Sequence, residues 1–453
     1  MSGIQGKRDL FSSKFGIIAA AAGSAVGLGN IWKFPYIAGV YGGAAFLFVY
    51  LGFIIVVGMP VMLSELIIGR KSKRNAFGAF KVLAPGTPWK YIGILSVAAA
   101  FLILSFYGVV AGWGIEYVFI SLKNGFSGNS PEEIAAFFTA FNHDPIKPIV
   151  YQLVFMLLTA AIVIVGVKKG IEKYTKILMP LLVIILLILC ARSVTLDGAK
   201  AGLTFLFNPD FSKLTGDGIL SALGHAFFTL SLGMGTLITY GSYIDKNNNL
   251  ANTVLSVTLA DTLIAIFAGI AIFPAVFAFG IEPSEGPGLI FVTLPNVFSQ
   301  MPGGFIFSVL FFILLTVAAL TSAISILEVV VAYFKEEFKM SRKTSTIVAT
   351  ILISILGMLC SLSLGDLSSV HIFGLNIFDA IDWVSANVFL PVGGLFIVLF
   401  IGWVFGKKKV KAELSDGSKI PDIFLNVFIF LVKLVAPLLI AIVLLNKVGL
   451  LNF

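Results

Sequence analysis

The stretch Gly23-Ser24-Ala25-Val26-Gly27-Leu28-Gly29-Asn30-Ile31-Trp32-Lys33-Phe34-Pro35 carries residue types that an apolar helix should avoid. It lies inside an apolar run from Phe15 to Ala38, long enough to cross a bilayer at ~20 residues per span. Each glycine costs a helix interior roughly 1 kcal/mol against alanine, and Pro35 removes a backbone donor. In hydrocarbon an unpaired peptide group costs several kcal/mol, so such a break persists only where it lines a cavity or binds something. A GxxxG packing face built on Gly23 and Gly27 is the plain alternative. Packing, however, has no use for Asn30 or Lys33. The pattern points to an opened helix whose freed carbonyls coordinate a cation.

A second stretch repeats the theme. Phe228-Thr229-Leu230-Ser231-Leu232-Gly233-Met234-Gly235 places two glycines and two hydroxyls in the middle of another apolar run. Ionisable residues inside the membrane are expensive, at ~2.5–3.5 kcal/mol each at the bilayer centre, and so ask for a role. Glu65, Asp261, Glu328 and Asp382 are of this kind. Glu65 suits the orphan backbone donors of a broken helix, whereas Asp261 sits among Leu259, Ala260, Leu263 and Ile264 with no such excuse. Thr321-Ser322, with Ala318 one turn earlier, can bond back to helix carbonyls or complete an oxygen shell around a hard cation. His225 reads as a hydrogen-bonded structural residue, and three histidines in the chain give little for a His-based metal site.

The elements that must position these residues follow from composition. The 453 residues are 58% hydrophobic and 12% charged, with a mean hydropathy of +1.03, as in a polytopic all-α membrane protein. Eleven apolar windows are expected as spans, at about 14–38, 44–69, 91–122, 149–167, 174–195, 217–243, 251–281, 304–335, 343–363, 372–403 and 422–446. The net charge of +8 is a topology signal, not a nucleic-acid one. Most Lys and Arg fall in alternate loops (Arg70 to Lys90, Lys168 to Lys176, Lys335 to Lys343, Lys407 to Lys419), which places the N-terminus in the cytoplasm and the C-terminus outside an inner, cytoplasmic-type membrane. The outer loops are Gly125–Pro148, Leu196–Gly216 and a Pro/Gly-rich hairpin, Glu282–Gly304. Cys190 and Cys360 read as packed thiols. The first and sixth spans enter from opposite sides, and two glycine-interrupted spans so placed mark a 5+5 inverted-repeat transporter with its site at the midplane. A channel would need a continuous polar stripe, and an intramembrane enzyme a nucleophile–base pair or metal cluster. Neither pattern appears.

GSAVGLGNIWKFP, TLSLGMGTLITYGSY at 229–243, LTSAISI at 320–326 and IDW at 381–383 together resemble the neurotransmitter:sodium symporter family, in its eleven-span bacterial amino-acid transporter form. The resemblance implies a core over 1–403 (repeats at about 8–196 and 217–403), a cytoplasmic loop at 404–421 and an eleventh helix with the C-terminus at 422–453. It also implies two sodium ions. The first would be held by Ala25, Asn30, Thr229 and Asp261, the second by Gly23, Val26, Ala318, Thr321 and Ser322. The substrate carboxylate would lie on the Gly27, Leu28 and Gly29 backbone with Tyr107 as a further donor, and the ammonium on span-one and span-six carbonyls and Ser231. Carboxylate capture by half-helix N-termini is the general device of such folds.

The substrate side chain would meet Ile103, Tyr107, Phe228, Met234, Ser322 and Ile326, with Ser24 beneath. No charge faces it, so hydrophobic L-amino acids are expected, with another small amine or amino acid as the alternative cargo. Lys33 and Asp382 match an outer charged gate in which relatives carry Arg; Arg8 and Glu336, with Tyr243 nearby, match an inner one, where Phe11 replaces a tryptophan. Gly170 and Pro180 match a motif expected to make the inner end of span five easy to unwind. Animal members need chloride beside the first sodium. Here the chloride-facing positions are Tyr50, His225 and Ala265, and the usual span-seven Asn is Asp261. The resemblance therefore implies chloride independence.

Overall fold

The computed structural model describes residues 9–280, 288–415 and 421–451. Among these, nine helices are long and apolar enough to cross a membrane. They are α3 (Ala44–Ser72), α4 (Lys90–Leu122), α5 (Lys147–Ile164), α6 (Val167–Val194), α9 (Leu250–Ala278), α10 (Gly304–Glu337), α11 (Arg342–Leu362), α12 (Ile377–Phe405) and α13 (Asp422–Lys447). A tenth crossing is the pair α1 (Lys14–Ala25) and α2 (Gly29–Val40), bent by 46°. The apolar window at 217–243 becomes two shorter helices, α7 (Gly216–Thr229) and α8 (Thr236–Gly241). The chain is an all-α membrane protein whose first and sixth apolar segments are broken.

Both breaks have local causes. Val26, at the end of α1, takes an extended backbone (φ −76°, ψ 107°), and the Gly27 N–H is taken by the Asn30 side-chain oxygen at 3.1 Å. Asn30 thus supplies inside the break the acceptor that a continuous helix would have found in its own backbone. Between α7 and α8 the chain turns left-handed at Ser231, Gly233 and Gly235. A side chain on Gly233 would also collide with the Leu390 carbonyl. The Gly233 N–H donates to Glu65 Oε1 at 2.7 Å, so this intramembrane carboxylate caps the second break.

Around these breaks, α1 packs against α6, α9 and α10, and α10 runs along α4. The stretch expected as a cytoplasmic loop, Lys168 to Lys176, is instead helical and belongs to α6. The turn from α5 is compressed into Val165 and Gly166, the latter at φ 110°. The buried carboxylate in the early turns is satisfied there: Glu172 pairs with Lys176 at 2.6 Å and accepts from the Ser12 and Ser13 hydroxyls, while Lys168, Lys169 and Lys173 are exposed. Gly170 and Pro180 both lie within wound helix. The loops expected on the outer side carry helices of their own at Pro131–His143, Ala199–Phe207 and Leu289–Gln300. Of the expected outer hairpin, residues 281–287, with Pro283 and Pro287, lie outside the described residues. Cys190 and Cys360 are free and buried.

Candidate functional site

The two breaks face each other across one small closed cavity. Its wall takes Ser24, Ala25, Gly27, Leu28 and Gly29 from the first break and Phe228, Thr229, Ser231 and Met234 from the second. Ile103 and Tyr107 come from α4, and Ser322 and Ile326 from α10. The cavity volume is about 20 Å³, room for about one water. Its wall contains no charged side chain. Leu28 N–H donates to Tyr107 Oη at 3.2 Å, and Ser231 Oγ donates to the Ser24 carbonyl at 2.8 Å, tying the two breaks together. Ser24 Oγ is buried without a partner among the described residues. A side chain on Gly27 would strike Ser322 and the Tyr107 hydroxyl, so only glycine leaves its backbone approachable from the cavity.

Beside the cavity, Asp261 is wholly buried. Oδ1 accepts from Asn30 Nδ2 at 2.8 Å and Thr229 Oγ1 at 2.9 Å, and Oδ2 accepts from Tyr50 Oη at 3.2 Å. Asn30 Nδ2 also reaches the Asp261 carbonyl at 3.1 Å. Three of the four residues expected at the first sodium, Asn30, Thr229 and Asp261, are therefore in direct contact, and Ala25 lines the adjoining cavity wall. Among the described residues no Lys or Arg pairs with Asp261. Three neutral donors around a buried carboxylate leave its charge uncompensated, an arrangement that a monovalent cation with oxygen ligands would complete.

A second cluster joins α1 to α10. Ser322 Oγ lies 3.2 Å from the Gly23 carbonyl and 3.1 Å from those of Ser24 and Val26. Thr321 Oγ1 lies 2.9 Å from the Ala318 carbonyl and 3.4 Å from that of Val26. All five residues expected at the second sodium are present. Two hydroxyls carry only two hydrogens, while four carbonyls converge on them. The excess of acceptors fits a hard cation better than a hydrogen-bond network.

At one end of the cavity, Lys33 Nζ stands 3.4 Å from Asp382 Oδ1 and 4.4 Å above the Phe228 ring. On the opposite side, Arg8 lies outside the described residues, and Glu336 accepts from the backbone N–H and side-chain amide of Asn75, both at 3.0 Å. Phe11 packs edge-on against Tyr240 and Tyr243. Tyr243 Oη donates to Glu328 at 2.6 Å, and Arg342 pairs with the same carboxylate at 2.6 Å. Sequence reasoning assigned Glu328 no partner. The available signal was Arg342, opening the next helix. His225 departs from expectation: neither ring nitrogen has a hydrogen-bond partner among the described residues, and the ring packs 5.2 Å from Tyr50.

A family model described as the sodium:neurotransmitter symporter family matches residues 8–133 and 143–452. A sodium-dependent transporter of Bacillus subtilis, YhdH, is 43% identical over 98% of this chain and 98% of its own. A sodium- and chloride-dependent GABA transporter of Drosophila melanogaster is 26% identical, over 92% of this chain and 49% of its own. Among solved structures, the crystal structure of MhsT in complex with L-phenylalanine superposes with a TM-score of 0.91 at 50% identity, covering 97% of this chain and 100% of that one.

Proposed function

The chain belongs to the sodium:neurotransmitter symporter family, and from that premise we propose that its cargo is a hydrophobic L-amino acid, aliphatic or aromatic, moved with sodium by alternating access. The observation that carries this reading is the uncharged wall of the cavity between the two breaks. An acidic or basic side chain would be buried there unpaired, at a cost of several kcal/mol. L-phenylalanine in MhsT, at 50% identity, is in keeping with it. Entry of such a cargo requires the wall to yield, and the unbranched Met234 and the ring of Phe228 are the side chains placed to do so. Uptake of labelled leucine and phenylalanine into proteoliposomes, with sodium or choline outside, tests the proposal. Saturable, sodium-dependent uptake is expected. Glutamate or lysine displacing the label better than leucine or tryptophan would overturn it.

Two sodium ions travel with the cargo in this reading. The first rests on Ala25, Asn30, Thr229 and Asp261, beside the substrate carboxylate on the Gly27–Gly29 backbone. The second rests on Gly23, Val26, Ala318, Thr321 and Ser322, which a cation would draw together across α1 and α10. Transport is chloride-independent, because Asp261 brings a fixed negative charge where the chloride-requiring relatives have a neutral residue. Tyr50 already spends its hydroxyl on that carboxylate, and Ala265 offers no donor.

Lys33, Asp382 and Phe228 form the outer gate, and Arg8, Glu336 and Tyr243 the inner one. Counting α7 and α8 as one interrupted crossing gives eleven spans, with the N-terminus cytoplasmic and the C-terminus outside an inner membrane. The inverted repeats run over about 8–196 and 217–403, and α13 lies beyond them.

A further inference from the structure

We propose that a groove between the first turns of α4 and the middle of α12 holds the acyl chain of an anionic phospholipid, with the phosphate between Lys90 and Lys409. The groove has a volume of about 440 Å³. Trp89, Tyr91, Ile92 and Leu95 form one wall, and Val392 and Phe396, one turn apart on α12, form the other. Bilayer lipids cover convex apolar surfaces without help. A concavity of this size on the lipid-facing side is a place where one chain can be held.

Lys90 sits between the wall residues Trp89 and Tyr91, and a run of ring contacts leads from Trp89 to Lys409. Lys90 Nζ lies 5.3 Å from the Tyr91 ring centre. On the other side, Trp89 packs on Phe400 at 5.3 Å, Phe400 on Phe405 at 6.3 Å, and Lys409 Nζ lies 5.6 Å from the Phe405 ring. Among the described residues neither lysine has a carboxylate or other hydrogen-bond acceptor. The neighbouring Lys407 and Lys411, by contrast, are spent on Asn426 and Asp422. Trp and Tyr mark headgroup depth, so the groove opens at the interface and runs from Trp89 towards Leu95 into hydrocarbon. Two unneutralised lysines, one next to the groove wall and one reached through those rings, complement a lipid phosphate carrying net negative charge. A second copy of this chain, docked by the same face, would bring the same positive charges together. The inference rests on the chain being a membrane protein and is independent of which amino acid it carries.

The test uses the purified full-length protein equilibrated with vesicles of phosphatidylglycerol and phosphatidylcholine in equal parts, and reads retained lipids by native mass spectrometry. Wild type should keep phosphatidylglycerol in preference, on the order of 25-fold, at roughly fivefold per lysine. Lys90→Gln and Lys409→Gln should each lower that preference roughly fivefold. Val392→Trp fills the groove without touching charge and should lower retention of both lipids. Equal retention of the two lipids by wild type, or a preference that survives in the double lysine variant, overturns the proposal. So does retention of both lipids that Val392→Trp leaves untouched, since the charges alone would then account for it. Sodium-dependent amino-acid binding, measured on each variant, reports separately on the transport site.

Discussion

Replacing Asp261 by Asn removes one charge from the centre of the site while keeping its shape. The carboxylate accepts from Asn30, Thr229 and Tyr50 at 2.8, 2.9 and 3.2 Å, and the amide can keep most of these contacts by rotation of the two hydroxyls. What it loses is attraction for a cation. At an effective dielectric of 20, two unit charges 4 Å apart attract by about 4 kcal/mol. The neutral amide oxygen still coordinates, so the net loss should be nearer ~2–3 kcal/mol, or roughly 30- to 150-fold in sodium affinity. The assay is equilibrium binding of labelled amino acid across a sodium titration, with gluconate as the only anion and again with chloride. Wild type should bind equally in both anions, and Asp261→Asn should move the sodium midpoint up by the stated factor. Adding Ala265→Ser should restore part of the affinity in chloride alone. Without sodium the same variant should melt no lower than wild type, because a buried, uncompensated carboxylate has been removed. A sodium midpoint within twofold of wild type would refute the reasoning, as would wild-type binding that collapses in gluconate.

Asp382→Asn should slow uptake several-fold while leaving equilibrium binding within about twofold, since neither Lys33 nor Asp382 lines the cavity; wild-type uptake rates in proteoliposomes would count against a gate. Arg342→Gln leaves Glu328 buried without its charge partner, and loss of one member of such a pair costs about 3–5 kcal/mol, so a clearly lowered melting temperature in detergent is expected. Gly233→Ala sets a side chain against the Leu390 carbonyl at φ 79° and should abolish sodium-dependent binding; near-normal affinity would show that the second break tolerates another backbone path.

Much of this could be read from residue types alone. Glycines with Asn30 in one apolar run, and with Ser231 in another, mark two broken helices, because a bilayer gives opened backbone no other partner. The α-helical class and most span limits follow from hydropathy. The exceptions have physical causes: Lys168 to Lys176 looked like a loop because of its charge, yet Glu172 and Lys176 neutralise each other and the serines before α1 complete the shell. His225 looked like a bonded residue because buried histidines usually are, and the aromatic cage of Phe34, Phe46 and Tyr50 offers its nitrogens nothing.

By itself the sequence determined where the chain must break and that Glu65, Asp261 and Glu328 must be buried. These are one-dimensional facts, set by hydropathy and by backbone permissiveness at single positions. Only the tertiary structure decided the partners. It put Tyr50 on the second oxygen of Asp261, Glu65 on the Gly233 amide, Arg342 on Glu328, and Lys33 over the Phe228 ring. Most of these contacts link residues far apart in the chain, and a buried polar group takes whatever partner the packing of other helices brings within reach.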